Sequence, residues 1–189
     1  MYVMDEAHGA FGYFCEGIET AMNNGADMVC LSAHKSIGGM WGKSFILNSK
    51  TSRISDKKFM SAVDCMVTTS MSMGSLADLE SVIMAMAENG HELFREAGRK
   101  ANKVREAFLM HPKMMCLNPK ELGLVCDPTK VTFGINGLDS HELDVLLKHP
   151  NVNIRTEITS INGVVAIINP MMTEAEVDTL ISRVTNLAD

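Results

Sequence analysis

The sequence predicts an α/β fold in two parts, a mostly parallel sheet with helices followed by a small α+β domain. Three observations predict it. Two short apolar runs, Tyr2-Val3-Met4 before Asp5 and Met28-Val29-Cys30-Leu31 before Ser32, stand one crossover apart, the spacing at which parallel strands are joined. A 3.6-residue apolar periodicity then runs from about Ser75 to Leu109. Past Cys126 the pattern changes to short alternating segments broken by turn residues.

In chain order, Tyr2-Val3-Met4 reads as the end of a buried strand with Asp5 at its carboxyl end. A short helix is expected over Glu16 to Asn23, and a second strand over Asp27 to Ser32 after the turn signal Asn23-Asn24-Gly25. The loop Gly38-Gly39-Met40-Trp41-Gly42 is too short for a crossover helix, so Ser44-Phe45-Ile46-Leu47 is expected to return antiparallel. A short helix over Ser55 to Cys65 precedes the long one, in which Asn89-Gly90 marks a bend or a close contact and which His111-Pro112 closes. Lys130 to Ile135 reads as a strand, and Ser140 as the cap of a helix through Leu147. Asn153 to Ile158 and Gly163 to Ile168 read as paired strands. Thr173-Glu174-Ala175-Glu176 has the form of a capping box opening a last helix to Leu187. The domains are expected at 1–110 and 111–189.

The composition sets the class. The chain has 189 residues, 46% hydrophobic and 21% charged, with a net charge of −6. A chain this apolar buries enough surface to offset its ordering entropy, which excludes intrinsic disorder. The acidic balance argues against nonspecific nucleic-acid binding, which depends on neutralising phosphates. No apolar stretch approaches the roughly 20 residues of a membrane helix, and no signal peptide is expected. The five cysteines (Cys15, Cys30, Cys65, Cys116, Cys126) form no C-x-x-C pair and are expected as reduced thiols in a cytoplasmic protein. The 16 methionines read as adaptable core fillers.

Two spots could carry chemistry: Asp5-Glu6-Ala7-His8-Gly9 after the first strand, and Ser32-Ala33-His34-Lys35-Ser36 after the second. In open α/β sheets ligands bind outside the carboxyl ends of the strands. An acid and a lysine at neighbouring strand ends suit imine catalysis with pyridoxal phosphate, in which an amine holds the aldehyde and a carboxylate keeps the pyridine nitrogen protonated.

These paired motifs, with Asp127-Pro128-Thr129-Lys130 and Asn169-Pro170, resemble the fold-type-I pyridoxal-phosphate enzymes, and among them the ornithine/lysine/arginine decarboxylases. The resemblance implies a partial transferase-like major domain joined to the small α+β domain. It implies that Asp5 pairs with the pyridinium nitrogen and Lys35 holds the cofactor. Ser32 and His34 would contact the phosphate and the imine region. Ala7 would pack on one face of the ring, and His8 would lie near the phenolic oxygen. Asp5, His34 and Lys35 would be the catalytic residues. Thr69-Ser70 falls where the family has a polar pair reaching a neighbouring subunit's cofactor, with Met71 where the family usually has proline. The three strands would be the fifth, sixth and seventh of the family's seven-stranded sheet, so the chain is expected to be the C-terminal half of such an enzyme. Its partners would be a small amino-acid substrate and either a second copy or the N-terminal half, with no nucleic acid and no membrane.

Other readings compete. An aminotransferase or another lyase could use the same scaffold, and a catalytically inactive remnant could keep the motifs. Asp5-Glu6-Ala7-His8 also has the Walker B form of DEAH-type NTPases, but Gly42-Lys43-Ser44 lacks a glycine at position 37 and opens a strand. A metal is not expected, since no third ligand stands at sensible spacing. Asp5 could simply cap a turn, and Arg155 could bind a substrate carboxylate or sit in solvent.

Overall fold

The computed structural model describes residues 1–15, 17–66, 70 and 72–189. The chain divides into two compact units, Met1–Glu92 and Leu93–Asp189.

In the first unit β1 (Val3–Asp5) pairs parallel with β2 (Met28–Ser32), and β3 (Ser44–Asn48) returns antiparallel to β2, as expected. The register sets Asp5 opposite Cys30 and Ser32 opposite Ser44, so Asp5, Cys30, Ser32 and Ser44 share one face of the pleat. The other face carries Val29 and Leu31, both fully buried. β1 was expected buried, yet Val3 is exposed. Among the described residues β1 and β3 are the sheet's edges, and the face bearing Val3 and Ile46 is left open.

The helix expected over 16–23 is not formed over its described residues, 17–23; residue 16 lies outside the described residues. A 3-10 helix (Ala10–Phe14) and turns over 21–25 make the crossover instead. Left-handed glycines at Gly17 and Gly25 bound this stretch, and its β-branched Ile18 and Thr20 are weak helix formers. The Glu6 carboxylate takes its backbone contact from Ala21 N (3.2 Å).

Helix α1 is the single turn Ala33–Ser36 after β2. Helix α2 (Asp56–Met66) buries no residue, and α3 (Met73–Met110) runs unbroken from the first unit into the second. The Asn89-Gly90 signal is a close contact rather than a bend: a Cβ on Gly90 would stand 2.8 Å from Phe14 Cβ.

The second unit is a four-stranded sheet in the order β4-β5-β7-β6, built from β4 (Met114–Cys116), β5 (Lys130–Ile135), β6 (Ile158–Ser160) and β7 (Gly163–Ile167), with every pair antiparallel. Its core joins Val104 and Phe108 of α3 to Phe133, Val164, Leu143 and Leu147 of α4 (Ser140–Lys148), and Val177 and Val184 of α5 (Glu174–Ala188). Three sequence readings are corrected here. β4 was not foreseen, because three residues carry too little periodicity. Asp139, not Ser140, caps α4 by accepting the His141 N–H at 2.8 Å. The strand expected over 153–158 begins only at Ile158, since Asn153 adopts a left-handed φ of 50° that ends extended pairing. The capping box at Thr173 and Glu176 forms as read.

Candidate active site

Both motifs leave the sheet at the carboxyl ends of the parallel pair. The Glu6 N–H donates to Cys30 O (2.9 Å) and the Ser32 N–H to Ala7 O (3.2 Å), so the two exit segments run side by side. Asp5 is exposed and its Oδ1 accepts the Ala7 N–H at 3.0 Å, a local turn that leaves Oδ2 uncommitted among the described residues. Ala7 and His8 are half-buried in that turn.

Below the turn, Glu6 organises the crossover. Its Oε2 accepts the Tyr13 hydroxyl at 2.9 Å, and burial together with that carboxylate pushes the Tyr13 phenol up to about 12.

Ser32, half-buried, is the N-cap residue of α1. Lys35 is exposed, with its amine unpartnered among the described residues. Ser36 Oγ is buried and has no partner there. The His34 Nδ1 lies 2.9 Å from the Lys43 carbonyl. A carbonyl only accepts, so Nδ1 carries the proton, and in the neutral ring Nε2 holds the lone pair.

Sequence reasoning missed how the loop after α1 is held. Gly38, Gly39 and Gly42 all adopt positive φ, which bends 38–42 tightly. Lys43, 6% exposed, pairs with Asp78 Oδ2 of α3 at 2.7 Å, and the same oxygen accepts the Met40 N–H at 2.9 Å. Those two bonds hold the Asp78 carboxyl below its ordinary value. Lys43 thus precedes a strand and is spent on an ion pair, unlike a phosphate-loop lysine. The fastened loop carries Trp41, 91% exposed, with its ring centroid 5.8 Å from that of His34. A Gly-Gly pair followed by a lone tryptophan was the available signal.

Some candidates fall outside this group. Thr69 and Met71 lie outside the described residues, and Ser70 is exposed. Arg155 is an exposed residue of the second unit. Among the described residues no cluster of three His, Cys, Asp or Glu side chains could hold a metal, and no helix is long and apolar enough to cross a membrane.

No protein-family model matches the chain. It is similar to the arginine decarboxylase of Halalkalibacterium halodurans, with 30% identity over 194 residues, covering 99% of this chain and 39% of that protein. It is similar also to the arginine decarboxylase of Bacillus cereus, at 31% identity over 193 residues, covering 98% and 42%. The chain therefore spans about two fifths of the length of these curated relatives. Lysine decarboxylase A from Pseudomonas aeruginosa shares the fold with a TM-score of 0.78 at 16% identity, covering 98% of this chain and 32% of that one. In sequence the chain resembles part of the arginine decarboxylases and in fold part of a lysine decarboxylase, so it is amino-acid decarboxylase-like over the portion of those proteins that it spans.

Proposed function

We propose that this chain carries the lysine half of a pyridoxal-phosphate site for decarboxylation of a basic amino acid, with Lys35, Asp5 and His34 as its catalytic residues. The observation that carries the reading is the side-by-side exit of the Asp5 and Lys35 segments from one parallel strand pair. The donor set suits the group. A carboxylate oxygen, an amine and the Ser36 hydroxyl all lack partners among the described residues, and the last is buried, where an unmatched hydroxyl costs free energy. When bound, pyridoxal phosphate supplies an aldehyde for an amine and a ring that takes up the electron pair left as CO₂ departs.

Lys35 offers the amine. Asp5 Oδ2 offers a negative acceptor for a ring N–H, which keeps that proton in place. Ser32 stands at the start of α1 with its side chain not used as a cap, which leaves its hydroxyl to contact the phosphate. Ala7 leaves room for a flat ring, and His8 stands next to it in the same turn. His34, oriented through Nδ1, presents Nε2 to move a proton to or from carbon, a task it would share with Lys35. Trp41 stands beside that imidazole, its ring centroid 5.8 Å away.

The partners follow from the same surfaces. The edge strands β1 and β3, the open sheet face and the unburied α2 favour pairing with a second copy or with further chain of the same enzyme. None of the five cysteines is in a disulfide, which supports a cytoplasmic setting.

Release of CO₂ from carboxyl-labelled arginine, lysine and ornithine, with pyridoxal phosphate uptake measured alongside, tests the proposal. Uptake with CO₂ release, both lost in Lys35→Ala, supports it. Oxo-acid formation without CO₂ would replace it with an aminotransferase, and no uptake at all would leave a remnant.

A further inference from the structure

The second unit holds a cavity of about 360 Å³ between the late turns of α3 and the segment 118–128, within the size range of small-molecule sites. At its wall lies Arg105, 7% exposed. Its guanidinium donates to Asn102 Oδ1 (2.6 Å) and to the carbonyls of Pro128 (3.0 Å) and Lys130 (2.5 Å). All three acceptors are neutral. A buried cation is ordinarily matched by a counter-charge, because its desolvation is otherwise uncompensated.

Among the described residues no carboxylate pairs with Arg105. Asp127, which also lines the cavity, is committed elsewhere: Oδ1 accepts Thr129 N (2.9 Å) and Thr129 Oγ1 (2.7 Å), and Oδ2 meets Lys130 Nζ at 3.2 Å. Two of the five guanidinium N–H donors remain uncommitted among the described residues. Lys120, exposed and unpartnered there, adds a second cation to the rim. Apolar Leu109, Leu124 and Val125 complete the lining, and Val125 is 83% exposed, a costly placement for an aliphatic side chain with nothing over it. Burial lowers the proton affinity of Arg105, and the nearby Asp127 and the thiols of Cys116 and Cys126 offset this only in part.

We propose that this cavity binds a small monocarboxylate with an apolar tail, its carboxylate on Arg105 and Lys120 and its tail against Leu109, Leu124 and Val125. Glu106, an acid of the lining with no partner among the described residues, opposes such a ligand and sets a limit on its affinity. The site is lined wholly by residues of the second unit and does not depend on the Lys35 chemistry.

Octanoate is the probe, octanamide its neutral match, and the alkylation rate of Cys126, an exposed thiol of the lining, the readout. Octanoate is expected to slow Cys126 alkylation saturably at least fivefold in the full chain, with octanamide far weaker. Glu106→Gln should tighten octanoate binding several-fold, and Val125→Trp, which fills the cavity from an exposed position, should abolish protection. Arg105→Met should abolish it as well; should that variant not fold, the other two decide. Equal protection by octanamide, protection that survives Val125→Trp, or no protection at millimolar octanoate would overturn the proposal.

Discussion

The Ser32 N–H donates to the Ala7 carbonyl across 3.2 Å, fastening the turn that carries Asp5 to the residue that begins the helical turn carrying Lys35. Backbone pairing, not side-chain contact, therefore sets where the acid and the amine stand. Substitutions at Ala7 that keep its backbone should leave the fold intact. Ala7→Val should unfold at the wild-type temperature within a few degrees while binding pyridoxal phosphate more weakly, because branched bulk would take the space a ring needs. Thermal melts and cofactor titration check both.

The loop bearing Trp41 depends on Lys43 and Asp78. Asp78→Ala leaves a buried ammonium without its carboxylate and frees Met40 N–H, so it should destabilise the first unit more than Lys43→Met, which keeps the buried stem and removes the charge. Trp41 is the single tryptophan, so its emission reports the loop directly. Its anisotropy should fall in Asp78→Ala, and unchanged anisotropy would show that the pair does not hold the loop.

Two glycines of α3 should respond oppositely to alanine. At Gly98 the new Cβ meets Pro128 Cβ at 3.4 Å, an ordinary contact, and helix propensity should stabilise the chain by up to about 1 kcal/mol. At Gly90 it meets Phe14 Cβ at 2.8 Å, close to the backbone of the 3-10 helix, so something must shift and the same gain should be outweighed. Denaturant melts of the two variants check the sign.

Stability should fall at both pH extremes for identifiable reasons. Asp27, buried, accepts from Tyr2 N, Arg53 N and the Arg53 guanidinium, and these bonds hold its carboxyl well below the usual range. A depressed carboxyl stabilises fully above its unfolded value of about 3.9 and loses that contribution as pH falls below it. Tyr13 works in the other direction: its phenol is raised to about 12, so its contribution is whole below pH 10 and lost between there and pH 12. Melts against pH should show the acid loss reduced in Asp27→Asn and the alkaline loss reduced in Tyr13→Phe.

Much of the fold was legible because it rests on local signals. Apolar runs located β1, β2 and β3, periodicity located α3, and the Thr173-Glu176 pair marked the start of α5 within one residue. The crossover was misread because Glu6 and two left-handed glycines decide it, and nothing in 16–23 announces a carboxylate fifteen residues earlier. For the candidate site, the motif residues at the strand ends could be read. The fastening of Lys43 to Asp78 joins residues thirty-five apart, and the charge on Arg105 is stranded by a fold around it; neither leaves a sequence pattern.

Borohydride reduction of the full chain with pyridoxal phosphate, followed by peptide mapping, decides whether Lys35 holds the cofactor. One dominant modified residue, Lys35, is expected at stoichiometric cofactor, with labelling cut at least tenfold in Asp5→Ala and no transfer of the label to Lys43, whose amine is paired with Asp78. Labelling spread over surface lysines, or label at Lys35 that is indifferent to Asp5, would contradict it.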